Sequence, residues 1–326
     1  ATPHRRHRPM TSPSNDRLRD TSVGTSPPKR HANREEEAAT DWLDLTRRAG
    51  LASHRLVGWI YWDPVAIEHY TALGPDPFGY YISTRGATLG AVGNAAVAAA
   101  FYSISPPFIS MCLDQCRERT TFEAAAAARD EGVVAGLRAH VPEICDELAG
   151  LAEPLWAAAD ELPIAGRVLF ATLREWPRPD DALLSAWLAI NCIREWRGDT
   201  HWAIQTAEDI GQIEAGILDG AWRYYADDWL PRSRGADDAA LAAAFAELER
   251  RGLATDSSVN ARGIEYRQEL EDRLDDLASV AWRALGEQRT NQFLDLIEPV
   301  GARLVERIDL TAGPNWMPAA RDRVPR

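Results

Sequence analysis

One lysine, Lys29, serves the whole 326-residue chain, so nearly all of its positive charge is arginine. Cysteine is also scarce. The four cysteines, Cys112, Cys116, Cys145 and Cys192, show no C-x-x-C spacing, which removes the usual zinc and redox signatures. Cys112 and Cys116 stand i, i+4, and read as small residues of a core helix rather than as a pair of reactive thiols. No run of apolar residues is long enough to cross a bilayer; the small-residue stretch from Ala91 to Phe101 is too short and too rich in Ala and Gly. Arg5-Arg6-His7-Arg8 leads into polar residues and not into a secretory apolar region. Unpaired thiols without an export signal lead to the expectation of a soluble cytoplasmic protein. Neither G-x-S-x-G nor H-E-x-x-H occurs, so the sequence offers no nucleophile elbow and no zinc-protease helix; no metal site is expected, and no cofactor is indicated.

The formal net charge is −13, unevenly spread. Residues 1–31 carry seven Arg and Lys against Asp16 and Asp20, leaving the remainder near −18. A body of that charge repels nucleic acid and anionic membrane. Residues 1–38, with five prolines and almost no large apolar side chain, read as a disordered basic tail. Met10 is an alternative start. Residues 39–230 read as a helical domain, 231–311 as a second domain, and 312–326 as a short tail.

The most informative stretch runs from Ile193 to His201, Ile-Arg-Glu-Trp-Arg-Gly-Asp-Thr-His. It follows a helix that is apolar on nearly every face from Ala182 onward, the mark of a buried helix. Gly198 is expected to stop that helix and Asp199 to cap the next one, which places His201 in a first helical turn. Charges at the end of a buried helix must pair or shift their pKa values. Two readings stand side by side. One is a buried Arg–carboxylate network pinning two helices. The other is a ligand site, with His201 and Glu195 as proton-transfer groups and Trp187, Asn191, Arg194, Trp196, Arg197 and Asp199 around the ligand. Upstream, Tyr80, Tyr81 and Arg85 precede the small-residue helix expected over 87–102, and would face the same ligand. Gly86, Gly90 and Gly93 do not form a dinucleotide fingerprint, because no strand precedes them. Twelve tryptophans, several beside these motifs, suit an aromatic wall or a core.

Beyond Pro231 the pattern changes. Leu241, Phe245 and Leu248 mark an amphipathic helix. Arg251-Gly252-Leu253 leads into two very short strands around Asp256-Ser257, and Asn260 caps a long helix. On that helix Tyr266, Leu270, Leu274 and Leu277 are expected inside, with Glu265, Glu269, Glu271, Asp272, Asp275 and Asp276 on the outer face. A last helix, broken near Pro299, follows. Helix, Arg-Gly-Leu, tiny hairpin and capped long helix together resemble the winged helix of MarR-type regulators. The region from about 55 to 310 further resembles an actinobacterial family of helical, winged-helix-like proteins. That family carries Leu-Arg-Glu-His-Arg-Gly-Asp-Gly-His where this chain has Ile193 to His201, with Trp196 and Thr200 replacing the first His and the second Gly. The resemblance implies a mainly α fold, a helical N-terminal domain packed on a degenerate MarR-like winged helix.

The helix that would enter the major groove offers Ala, Asp and Glu, and residues 237–309 hold 16 acids against nine Arg. Bases and phosphates are read by Arg, Lys and polar side chains, so DNA is not the expected partner of this wing. Packing or homodimer formation suits it better. The leading expectation is a small-molecule-binding protein on a winged-helix scaffold that has lost DNA binding. The alternatives are an acid/base enzyme of specialised metabolism, of cyclase or isomerase type, using the same pocket, and a MarR-like regulator using the basic tail.

Overall fold

Short polar caps and apolar stripes divide the chain into helices. The computed structural model describes residues 40–325; the expectation for residues 1–38 lies outside them. The first helix, α1 (Trp42–Gly58), starts where the Asp41 carboxylate accepts from the Leu43 and Asp44 N–H groups. It passes into a 3-10 turn, Trp59–Trp62, whose aromatic residues are mostly buried. Asp63 caps α2 (Pro64–Thr71), with Pro64 at the first helical position where its missing N–H costs nothing. Then come α3 (Tyr80–Arg85), α4 (Ala87–Gly90) and α5 (Asn94–Phe101). The single helix expected over 87–102 is thus broken, because Gly93 holds φ +120°, a conformation open to glycine. The helices α6 (Pro106–Arg119), α7 (Phe122–His140), α8 (Cys145–Gly150), α9 (Ala152–Glu161) and α10 (Val168–Arg174) follow, and the last four pack around the next, α11 (Ala182–Ala207).

Helix α11 is the axis of the molecule, packed against α1, α7, α8, α9 and α10. It does not stop at Gly198, as expected, but runs 26 residues without interruption. A helical glycine costs about 1 kcal/mol relative to alanine, and burial of the helix on both sides of Gly198 outweighs that. Asp199, the expected cap, is an interior residue whose carboxylate instead accepts from the Phe170 N–H of α10 at 2.9 Å. His201 therefore stands in mid-helix, away from any helix N-terminus.

The second half supplies α12 (Gln212–Trp222), α13 (Trp229–Ser233) and α14 (Asp238–Arg250). Strands β1 (Ala254–Thr255) and β2 (Ser258–Val259) pair antiparallel, Ala254 opposite Val259. Asn260 caps α15 (Ala261–Leu285), and α16 (Glu287–Ile297) and α17 (Gly301–Asp309) follow, joined through a 3-10 turn at Pro299. Leu241, Phe245 and Leu248 of α14 build a small core of their own with Ile217 and Leu218 of α12.

The described residues form one compact unit, and α15 lies directly on α1, α9 and α11. Two expectations for α15 change in consequence. Leu277 is exposed, and Ala278, Ala281 and Trp282 take the inner face. Glu271 and Asp275 are buried, drawn inward by the arginines of α11 and α15. Residues 312–325, read as a tail, are docked: the Arg55 Nε–H donates to the Ala320 carbonyl, and Ala320 is wholly buried. No helix of the described residues is long and apolar enough to cross a membrane.

Close packing around the 3-10 turn makes a direct test. A Cβ on Gly136 would lie 2.3 Å from the ring of Trp59, which is itself fully buried. Gly136→Ala is expected to lower stability by about 1–3 kcal/mol. Gly150→Ala, where a Cβ meets nothing within 4 Å, should raise it by about 0.5–1 kcal/mol. Urea denaturation of both variants checks the pair, and equal effects would contradict the packing described.

Candidate functional site

Two adjoining cavities open between the N-terminal helices, α11, α13 and the C-terminal segment, the second also reaching α12 and α15. The larger, about 310 Å³, is aromatic. Tyr61 and Trp62 of the 3-10 turn, Tyr81 of α3, Phe101 of α5, Trp202 of α11 and Trp316 of the C-terminal segment stand in its wall. The rings brace one another. Trp62 stacks on Tyr81 at 6.0 Å between centroids and meets Trp316 at 4.9 Å, while Trp202 stacks on Tyr102 at 4.9 Å. Two polar atoms of this wall are buried without a hydrogen-bond partner, Tyr61 Oη and Trp62 Nε1.

The smaller cavity, about 160 Å³, is charged, and it shares Tyr81, Arg85, Trp202, Arg234, Met317 and Pro318 with the first. Its organising group is Glu195. Arg85 grips that carboxylate with both prongs, at 2.8 and 2.6 Å, and Arg194 adds a third bond at 2.6 Å. Burial pushes the Glu195 pKa up, but Arg85 and then Arg194 outweigh it and hold the group below its ordinary range. Arg85 spends its remaining Nη on the Tyr81 hydroxyl at 2.8 Å and lies over the Phe101 ring. Thus one carboxylate orients the aromatic wall. Gly198 fits this arrangement: its bare flank faces Glu195 Oε2 and Arg85 Nη2.

Two histidines border the charged cavity. His54 accepts the Arg194 Nε–H on Nδ1 at 3.1 Å, which fixes a neutral tautomer carrying its proton on Nε2. Burial, then the charge of Arg194, keeps its pKa well below the usual value. His201 is driven down to about 3, by burial first and then by Arg267. The expectation of a near-neutral base at a helix N-terminus is corrected on both counts. Across the cavity Asp219 binds Arg223 and Arg267, and Glu271 binds Arg197 and Arg267. Burial opposes ionisation of both acids, but Arg223 and Arg267 lower the Asp219 pKa, and Arg267 and Arg197 lower that of Glu271.

Of the residues singled out from sequence, Tyr81 and Arg85 line both cavities, and Arg194, Glu195, Arg197 and His201 line the charged one. Tyr80, Trp187, Asn191, Trp196 and Asp199 line neither. Trp187 is core, its indole N–H held by the Leu56 carbonyl, and Trp196 donates to the Pro163 carbonyl. Sequence reasoning missed Arg223, Arg234, Arg267, Asp219 and Glu271. A signal existed: Asp219/Arg223 and Arg267/Glu271 are i, i+4 pairs, a spacing that puts both charges on one helical face. All four cysteines are free and buried, and among the described residues no cluster of His, Cys, Asp or Glu is arranged to hold a metal ion.

A helix-turn-helix family matches residues 46–311, and the chain belongs to that family. No curated protein and no solved structure matches it.

Asp199, 6% exposed beneath the site, gives a pH test. Burial raises its pKa to about 7 against the opposing Phe170 N–H bond, whereas an unfolded Asp titrates near ~3.9. Between those values the folded state binds the proton more tightly, so stability is lost as pH rises from about 4 to about 7. Asp199→Asn keeps an acceptor for Phe170 and removes that loss. Relative to wild type it is expected to gain up to about 4 kcal/mol between pH 4 and 8 in urea denaturation; a difference that stays constant over this range would contradict the assignment.

Proposed function

We propose that the protein binds a small, flat organic molecule in the aromatic cavity, on a helix-turn-helix scaffold that no longer reads DNA. The observation that carries this reading is the cavity itself: about 310 Å³, ring-lined, with the unpartnered donors Tyr61 Oη and Trp62 Nε1 in its wall. Small-molecule sites are concave, apolar and supplied with a few fixed polar groups, and begin near about 300 Å³. Trp62, Trp202 and Trp316 offer faces to a planar ligand, and a buried donor left unmade favours a ligand that accepts from it.

Proton-transfer catalysis fits the same pocket less well. Glu195 already accepts three guanidinium N–H bonds, and His201 stays neutral to about pH 3. A general acid or base works best with a pKa near the operating pH. In this reading both residues position the site, and neither moves a proton.

The DNA side supports the same conclusion. The exposed positions of α14 are Asp238, Ala239, Ala242, Ala243, Ala246 and Glu249, with Arg250 at its end. Arg250 is paired with Glu247, and Arg262, just past the wing, with Glu265 and Glu269. Phosphate contacts need available cations.

Two experiments test this on the full chain. The neutral fluorophore N-phenyl-1-naphthylamine is expected to bind saturably with one site, and Trp202→Ala to weaken it about three- to tenfold, the value of one aromatic contact. Binding that does not saturate, or that ignores the substitution, would remove the cavity from consideration. In a mobility-shift titration at about 50 mM salt, where electrostatic binding is strongest, no sequence-selective complex is expected below about 1 µM. Such a complex, lost on replacing Arg250 or Arg262, would restore the regulator reading.

A further inference from the structure

The charged cavity carries more positive charge than its carboxylates neutralise. Six arginines line it, Arg85, Arg194, Arg197, Arg223, Arg234 and Arg267, against three acids. Each acid is already shared between two guanidinium groups: Glu195 by Arg85 and Arg194, Asp219 by Arg223 and Arg267, Glu271 by Arg197 and Arg267. Asp275, behind the wall, takes a further bond from Arg197 and is itself shared with Arg47. His54 and His201 are neutral, so neither adds nor removes charge. A surplus of at least two guanidinium charges remains beside a cavity of about 160 Å³.

The surplus has an address. The Arg234 guanidinium makes one hydrogen bond, to the Ser103 hydroxyl at 2.9 Å, and has no carboxylate within ion-pair distance among the described residues. Its pKa is lowered, by burial first, with Asp219 only partly offsetting it. Arg267, 2% exposed, keeps Nη1 without a hydrogen-bond partner, and Arg197 keeps Nε so. A partly buried cation that lacks its counter-charge is unfavourable, and protein folds supply one or bind one. With one lysine in the chain, the choice of arginine carries no information. The unmatched charge does.

Arg234 also stands in the wall common to both cavities. We infer that the ligand is an aromatic acid: its ring system lies in the aromatic cavity and its oxyanion, of carboxylate or sulfonate size, in the charged one. Arg234 is the residue that selects for the negative charge, with Arg267 and Arg197 adding positive charge to the same wall. Guanidinium forks match planar oxyanions in geometry as well as charge. The surplus positive charge excludes a cationic ligand. This inference rests on the aromatic cavity being a ligand site.

Two probes that share a ring system separate the two claims. 1-Anilinonaphthalene-8-sulfonate carries an oxyanion; N-phenyl-1-naphthylamine lacks it. Titrated into the full chain by fluorescence, the sulfonate is expected to bind at least about tenfold tighter than the neutral probe and to displace it, as a charge-assisted contact implies. Arg234→Gln should remove that preference, weakening the sulfonate about tenfold while the neutral probe stays within about twofold. Arg234→Lys should keep most of it, and Arg250→Gln, on the surface, all of it. Equal binding of the two probes, or a preference unchanged in Arg234→Gln, would overturn the anion site and leave the aromatic cavity standing. Saturable binding of neither probe would overturn both. Should Arg234→Gln not fold, the wild-type preference and its decrease between about 50 and 500 mM salt decide the matter alone; no preference at the lower salt would refute the inference.

Discussion

Everything near the cavities depends on a carboxylate that water cannot reach. Glu195 sits inside the longest helix of the described residues, 1% exposed, and is stable there as an anion only because Arg85 and Arg194 meet it. Removing one partner of such a cluster costs about 3–5 kcal/mol, since a buried charge is left uncompensated. The geometry that avoids this cost also builds the site. Arg85 comes from α3 and fixes Tyr81; Arg194 reaches to His54 on α1. Three helices are thereby held in one register around an opening. A second cluster, Arg197 and Arg267 with Asp219, Glu271 and Asp275, joins α11 and α12 to α15.

The pair formed by α12 and α14 exposes a single arginine, Arg250. Its helices are held by an apolar core of Leu241, Phe245 and Leu248 on Ile217 and Leu218, which is indifferent to what lies on the outer face. Arg267 is turned inward to the charged cavity, and Arg250 and Arg262 are bonded to neighbouring acids. The packing of the fold is therefore independent of its surface charge, and function has to be argued from sites and not from the scaffold.

Much of this was legible from residues alone. The α14–hairpin–α15 unit could be read because Asp237 and Asn260 cap real helices and the apolar spacing on α14 is regular. The break expected at Gly198 failed because local propensity is worth about 1 kcal/mol and the packing on either side of α11 is worth more. Glu271 and Asp275 were misplaced because an acidic stripe does not reveal which members face a partner helix; only the approach of Arg197 decides it. The region of the site was visible, since charge beside an all-round apolar helix must be paired. Its chemistry was not, because Arg234, Asp219 and Arg267 lie far from Glu195 in sequence and only the fold brings them to one cavity. Trp187 and Asn191 misled for the opposite reason: they share a helical face with Arg194, but that face turns into the core at their level.

The central claim is that the two cavities are one ligand site, aromatic at one end and cationic at the other. A crystal structure of the full chain with a bound naphthalene sulfonate tests it most directly. The account predicts the ring system among Trp62, Trp202 and Trp316, with sulfonate oxygens within about 3 Å of the Arg234 and Arg267 guanidinium groups. A ring bound on the outer surface, or a sulfonate turned toward solvent with the charged cavity left to water, would contradict it.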